Sequence, residues 1–271
     1  MSARPQILIS FDVEEFDLPE EFGVPVPPDD RACVSAEGMD RVLSVLDRFP
    51  AVRATFFTTV NFARMNPDIF RRMVSDERYE IASHGVSHST FVPEDLATSR
   101  RALEELSGRS VSSFRPARLA PVSKELILDA GYRCESALNP VWLPGRYNHF
   151  TASLRPFFEP CGLLQIPVSA VPVIRFPLFW LSFKNLPAFF YRTGAAMAIW
   201  SVHFFNLYTH PWEYTERSRE AHWHIPGYIT RHAGQAMADR LENLLRYLEG
   251  KGDFVTFSEF TESFLASAKK G

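Results

Sequence analysis

Short apolar runs of strand length alternate along this chain with segments whose apolar positions recur every three or four residues. That alternation is the pattern of repeated βα units. Residues 7–11 read as a first strand. Residues 36–49 read as a helix, with Met39, Val42, Leu43, Val45 and Leu46 on one stripe and Pro50 just beyond its end. A strand over 54–58, a short helix over 67–75 opened by Pro67, a strand over 80–83 and a helix over 93–106 stopped by Gly108 continue the unit. Residues 113–115 look like another strand end, and 123–130 a helix capped by Ser123 and ended at Gly131.

The pattern loosens over 139–206, which is proline-rich. Strands are expected there near 165–168 and 202–208, with long loops covering one face, a usual place for a substrate site. Residues 233–249 form the clearest amphipathic helix, with Met237, Leu241, Leu244, Leu245 and Leu248 on one side. A strand over 254–256 and a last helix from Ser258 complete the series. No longer repeat, low-complexity tract or linker interrupts it, so residues 1–271 are expected to form a single α/β barrel of parallel strands. Its chemistry is expected at the C-terminal strand ends.

Composition narrows the partners. The 271 residues are 46% hydrophobic, enough to bury a full globular core. Lys and Arg number 29 against 32 Asp and Glu, a net charge of −3 that offers no basic field to nucleic acid. Cys33, Cys134 and Cys161 show no Cys-x-x-Cys spacing, which argues against a disulfide framework or thiolate zinc site and for a reducing compartment. The short apolar run near the N-terminus falls below the roughly 7–15 residues of a secretory core, so a cytoplasmic location is expected. The most apolar stretch, 171–205, is broken by Arg175, Lys184, Arg192 and several prolines. It is short of the roughly 20 apolar residues of a spanning helix, and no membrane span is expected. Self-association is left open.

Four groups of residues carry candidate chemistry. Asp12-Val13-Glu14-Glu15 follows the first strand, and side-chain alternation turns Asp12 and Glu14 to one side while Val13 packs on the other. A solvated acidic turn would look the same. Ser83-His84-Gly85-Val86-Ser87-His88 follows another strand. Histidines four apart on one helical turn share a face and can reach one divalent ion, although two unrelated surface histidines would also fit. The zinc-protease pattern needs Glu directly after the first His, and Gly85 stands there instead. Taken together, two imidazoles and one carboxylate make a three-ligand set that leaves coordination positions for water and substrate. Leu207-Tyr208-Thr209-His210-Pro211-Trp212-Glu213 ends a further apolar run, and His210 is either a proton donor or a buried, satisfied histidine. Arg115, in Phe114-Arg115-Pro116, could hold a carboxylate ionised and oriented or form an ordinary ion pair.

In this order the pieces resemble the polysaccharide deacetylase superfamily, carbohydrate esterase family 4, over nearly the whole chain. Ser10-Phe11-Asp12-Val13-Glu14 is similar to its first motif, which implies Asp12 as general base and Glu14 as metal ligand, with Glu15 as substitute should Glu14 turn away. Ala54-Thr55-Phe56-Phe57 resembles its second strand, and the His84 to His88 segment its histidine motif, implying those two residues as the other ligands. The resemblance implies that Arg115 orients Asp12, that His210 is the general acid, and that Leu207 and Trp212 meet the substrate, Leu207 at the acetyl group. Cys134-Glu135-Ser136-Ala137-Leu138 resembles a Tyr-Asp-Ser-Ser-Leu segment, which implies that Glu135 orients His210. For the whole chain the resemblance implies a distorted (β/α) barrel of about seven strands binding one divalent metal ion, zinc first. Its implied activity is removal of N- or O-acetyl groups from a sugar or polysaccharide. The alternatives are hydrolysis of small cyclic amides on the same barrel and a non-catalytic carbohydrate-binding barrel.

Overall fold

The computed structural model describes residues 4–143 and 147–268. Its strands are β1 (Gln6–Val13), β2 (Ala54–Thr58), β3 (Tyr79–Ser83), β4 (Ser113–Phe114), β5 (Cys134–Glu135), β6 (Trp142–Leu143), β7 (Tyr147–Asn148), β8 (Phe157–Phe158), β9 (Leu164–Gln165), β10 (Phe204–Thr209) and β11 (Asp253–Phe254). Its helices are α1 (Pro28–Leu46), α2 (Val60–Met65), α3 (Pro67–Ser75), α4 (Asp95–Ser107), α5 (Lys124–Asp129), α6 (Trp180–Asn185), α7 (Ala188–Val202), α8 (Gly227–Thr230), α9 (Gln235–Leu248) and α10 (Phe257–Ala268).

The main sheet runs in the order β10-β1-β2-β3-β4-β5-β9-β8, parallel from β10 through β9, with β8 antiparallel at its edge. β6 and β7 form a separate antiparallel pair. β11 joins the start of β1, next to Gln6 and Ile7, before β2 takes up the pairing from Ser10 onward. The sheet curls, and its open seam is bridged by individual bonds: Ser169 N donates to Asn206 O (3.1 Å), and Asn206 Nδ2 to Pro167 O (3.0 Å). This is the distorted parallel barrel expected from the sequence.

Strand alternation sorts the core into two sides. Ile7, Ile9, Phe11 and Val13 of β1 join Met39, Val42, Leu43, Val45 and Leu46 of α1 in the layer between sheet and helices. Leu8, Phe57, Ala82, Cys134, Leu164, Ile166 and Phe204 face inward and pack on Phe257 and Phe260 of α10. That end of the barrel is tied by Glu80, which accepts from Thr55 Oγ1 (2.9 Å), Ser113 Oγ (2.6 Å) and the Ser258 amide (2.9 Å). Burial pushes its carboxyl above the usual range against the pull of those bonds. Ser10, Asp12, Arg115, Asn206 and Tyr208, all buried, continue the inward column toward the opposite mouth, so β1 supplies core at one end and chemistry at the other.

Several boundaries differ from the sequence expectation. α1 begins at Pro28, eight residues earlier than the stripe suggested, because proline supplies a first-turn residue without needing a hydrogen bond for its nitrogen. The region read as loops with two strands contains α6 and α7. α7 has no simple apolar stripe: Tyr191, Ala195, Ala198 and Ile199 are buried while Phe189, Phe190, Met197 and Trp200 are exposed, so the helical period is hidden. The strand expected at 202–208 starts after that helix, at Phe204. No helix among the described residues is long and apolar enough to cross a membrane.

Candidate metal and catalytic site

The last residue but one of β1, Asp12, and the residue after the strand, Glu14, reach the mouth on the same side, as alternation requires. His84 and His88 come from the loop after β3. They do not sit on a helical turn, contrary to the sequence expectation. A reversal at Gly85, with φ of +93°, folds the loop back, and Val60 and Asn61 at the start of α2 donate to the Gly85 and Val86 carbonyls. The two rings lie nearly parallel with centroids 5.8 Å apart.

Glu14, His84 and His88 converge, with one potential ligand atom from each lying within 4.8 Å of the others. Glu14 Oε2 is 3.2 Å from His84 Nε2 and 3.1 Å from His88 Nε2. The far nitrogens decide what these atoms can be. His84 Nδ1 is 2.8 Å from the Arg115 carbonyl, which can only accept, so Nδ1 carries the proton. His88 Nδ1 is likewise 2.6 Å from Asp17 Oδ1. In the neutral imidazoles both Nε2 atoms therefore present lone pairs to a carboxylate oxygen. Lone pairs facing lone pairs in a buried place call for a cation, either a proton on His88 or a metal ion that displaces it. Metal–ligand bonds of about 2.0 Å at tetrahedral angles put ligand atoms roughly 3.3 Å apart, close to the Glu14 to histidine separations. The residues present fit a divalent ion with N and O ligands.

Charge in the site is set by the same contacts. Burial opposes ionisation of Glu14, yet His88, His210 and His84 outweigh it and hold the carboxyl far below its usual range. Burial lowers His88, but Glu14 and the Asp17 bond raise it more, up to about 9. Trp212 Nε1 donates to Glu14 Oε1 (3.1 Å), fixing the second carboxylate oxygen. Glu15 is turned away, accepting from Thr59 Oγ1 at 2.6 Å, and so is not a substitute ligand.

Asp12 is the second buried carboxylate. Its Oδ1 accepts from Arg115 Nη1 at 2.5 Å. Arg115 is fully buried and fixed in turn by Ser10 Oγ, the Ser136 carbonyl and Ser136 Oγ. The guanidinium lies over the Phe57 ring at 4.0 Å. The other Asp12 oxygen, Oδ2, is 4.0 Å from His210 Nε2. His210 follows β10 and stands among aromatic rings, stacked on Trp212 at 5.1 Å and edge-on to Trp180 and Tyr208. Its Nδ1 and its backbone N–H both donate to Glu213 Oε1, each at 2.9 Å. Burial lowers the His210 pKa, but Glu14, Glu213 and Asp12 together move it above the ordinary value.

These groups line a pocket of about 80 Å³ whose walls include Asp12, Glu14, His84, His88, His210 and Trp212. Leu207 is not among them. Its strand neighbour Tyr208 lines the pocket, and alternation sends Leu207 into the layer between sheet and helices. Glu135 does not orient His210 either. It pairs with Lys124 beside β5, and Glu213 orients the ring from three residues along the same turn. The structure forms a capping box there, with His210 at the N-cap and Glu213 three residues on, although histidine stands where the sequence pattern has Ser or Thr. Asp17 was also missed. Nothing local marks it, because its partner His88 lies 71 residues away. Arg118 closes this side, donating to Glu21 Oε1, to the His88 carbonyl and, at 3.4 Å, to Asp17 Oδ2.

Residues 28–133 match the family model for polysaccharide deacetylase. The fold is similar to that of a candidate polysaccharide deacetylase from Mycobacterium smegmatis, with 19% identity over 98% of this chain and 92% of that one and a TM-score of 0.67. It is also similar to the peptidoglycan deacetylase PdaC from Bacillus subtilis, with 14% identity over 99% and 96% of the two chains and a TM-score of 0.51. A carbohydrate esterase family 4 pseudoenzyme from Bacillus anthracis shares the fold as well, with 12% identity over 96% of this chain and 66% of that one and a TM-score of 0.52. No curated protein sequence matches the chain. The family match over residues 28–133 and the shared fold agree with the resemblance to the polysaccharide deacetylase superfamily.

Proposed function

We propose that this protein is a metal-dependent carbohydrate deacetylase that hydrolyses N- or O-acetyl groups on a sugar or glycan. The observation that carries this reading is the convergence of Glu14, His84 and His88 with both imidazoles turned, by Asp17 and the Arg115 carbonyl, to face the carboxylate with Nε2. Glu14, His84 and His88 would hold one divalent ion, zinc first because the set offers nitrogen and oxygen ligands. Such an ion supplies Lewis acidity to the acetyl oxygen and to a water molecule.

The chain's own residues supply the proton transfers. Asp12, paired with and aimed by Arg115, takes the proton of the attacking water through Oδ2. His210, held through Nδ1 by Glu213, gives the Nε2 proton to the departing amine or alkoxide. The two groups stand side by side, 4.0 Å apart. Attacking oxygen and leaving atom are bonded to the same carbon, so neighbouring groups can each reach one of them. Trp180, Tyr208 and Trp212 give the pocket flat apolar walls suited to a sugar face and the acetyl methyl. Three cysteines without disulfides suit a reducing compartment, and the cytoplasm is the proposed location.

The test combines elemental analysis of the purified protein with acetate release from N-acetylglucosamine oligomers and O-acetylated sugars. Asp12→Asn is expected to keep the metal and lose turnover by about 100- to 10,000-fold, and His210→Ala to keep the metal and lose more on the amide than on the ester. Stoichiometric metal without acetate release from any acetylated sugar would refute the substrate reading and favour a small-amide hydrolase. Loss of metal in Asp12→Asn would show that Asp12 and Glu14 exchange roles.

A further inference from the structure

Behind His210 lies a charged group that neither proton transfer uses. Lys184, in α6, has no solvent exposure. Its ammonium is 2.8 Å from Glu213 Oε2 and donates to the Ile229 carbonyl, also at 2.8 Å. It rests against the rings of Trp212 (5.0 Å) and Trp180 (5.5 Å), the same two indoles that enclose His210. Lysine is among the residues least often fully buried, and a buried ion pair seldom adds stability over apolar packing. Its place directly behind the Glu213 to His210 bond therefore points to a role in that bond.

We propose that Lys184 is a positioning residue that keeps Glu213 ionised through both protonation states of His210 and so fixes His210 with its proton on Nδ1 and Nε2 turned to the pocket. The inference rests on His210 as the proton donor of the deacetylase reading. A general acid gives up its proton and returns to neutral in each turnover. While His210 is an imidazolium, Glu213 is paired with it. Once His210 is neutral, a fully buried carboxylate would face no cation from the histidine side and would itself tend to take up a proton. A protonated Glu213 no longer demands Nδ1–H, and the imidazole is released to carry its proton on Nε2. Lys184 supplies a cation that does not leave with the transferred proton, although burial lowers its pKa against the pull of Glu213. The opposite carboxylate oxygen belongs to Lys184, so Oε1 stays free to accept from the His210 amide and ring together. The other groups facing His210 are Asp12 and Glu14 from the β1 side and the rings of Trp180, Tyr208 and Trp212. None of these supplies a positive charge independent of the transferred proton.

The test reads the imidazole directly. In full-length protein labelled with ¹⁵N-histidine, the His210 ring nitrogens are assigned by their loss in His210→Ala and followed from pH 6 to pH 10, with and without added zinc. Wild-type protein should show neutral His210 wholly as the Nδ1–H form, and Lys184→Met should show a mixture or the Nε2–H form. In acetate release, Lys184→Met should lower kcat by about tenfold or more, a part of what a positioned acid contributes, with KM and metal content held. Lys184→Met strips the buried Glu213 of charge compensation, which can by itself prevent folding, so the same measurements are made in a Glu213→Gln background. Adding Lys184→Met there should change neither tautomer nor kcat further, since Lys184 acts only through the Glu213 charge. An unchanged Nδ1–H form in Lys184→Met, or an equal loss of kcat in both backgrounds, would overturn the proposal. The ring signals report on Lys184 even in a protein that releases no acetate, so failure of the deacetylase reading is seen separately.

Discussion

Replacing Asp17 by Asn removes one negative charge from behind the His88 imidazole, a proposed metal ligand, while leaving the same number of heavy atoms in the same space. Asp17 is almost wholly buried, accepts from His88 Nδ1 at 2.6 Å, and is itself held by Ser89 Oγ at 2.8 Å and by Arg118. The Asn Oδ1 can still accept from Nδ1–H, so the ring keeps its orientation and loses only the anionic partner that raises its basicity. Outer carboxylates of this kind are worth about 10- to 100-fold in metal affinity, roughly 1.4–2.7 kcal/mol. The effect depends on pH in a direction the structure sets. His88, with a pKa of about 9, is almost entirely protonated at pH 7, and a metal ion must displace that proton. Asn at position 17 weakens proton binding as well as metal binding, so the competitor is weaker too. The affinity deficit of Asp17→Asn should accordingly be smaller at pH 7 than at pH 9.5. The assay is competition for zinc against a chelator of known affinity at both pH values, with wild type and Asp17→Asn side by side. Equal affinities of the two proteins at pH 9.5, or a deficit larger at pH 7, would refute the reasoning.

Packing and burial elsewhere in the barrel set two further outcomes. A Cβ at Gly38 of α1 would lie 1.8 Å from the Pro211 carbonyl oxygen, and backbone cannot yield cheaply, so Gly38→Ala should cost about 1–3 kcal/mol or more in urea unfolding and lower turnover by displacing the His210 turn. Unchanged stability with unchanged turnover would show that α1 does not set that turn. Burial raises Glu80, so in the folded chain it keeps its proton at pH values where the unfolded chain has lost it. Its contribution to stability is greatest below the ordinary carboxyl range and falls as pH rises through the raised value, the reverse of the trend for Glu213, which is depressed. Glu80→Gln should flatten the falling limb of the stability profile measured by urea unfolding across that window, and an unaltered slope would exclude Glu80 as its source.

The repeating βα order, the parallel barrel and the strand-end placement of Asp12, Glu14, His84, His88, Arg115 and His210 were all legible before any coordinates. These are local matters: apolar runs, caps, prolines and alternation act over a few residues, and each of the six stands at or just beyond a strand end where such signals are strong. Other features depended on how distant segments pack. α7 was hidden because it is apolar on both its buried and its exposed sides, which leaves no period to read. Leu207 and Glu135 were assigned to the wrong places because a motif gives order along the chain, whereas the inward or outward turn of a side chain is set by the register of its strand in the sheet. Asp17 could not be seen at all: it meets His88 across 71 residues, and only the curl of the sheet brings the ends of β1 and β3 close enough for one to set the chemistry of the other. Lys184 was read as an interruption in an apolar stretch, the natural reading of a lone charge, until the fold closed two indoles and a carboxylate around it.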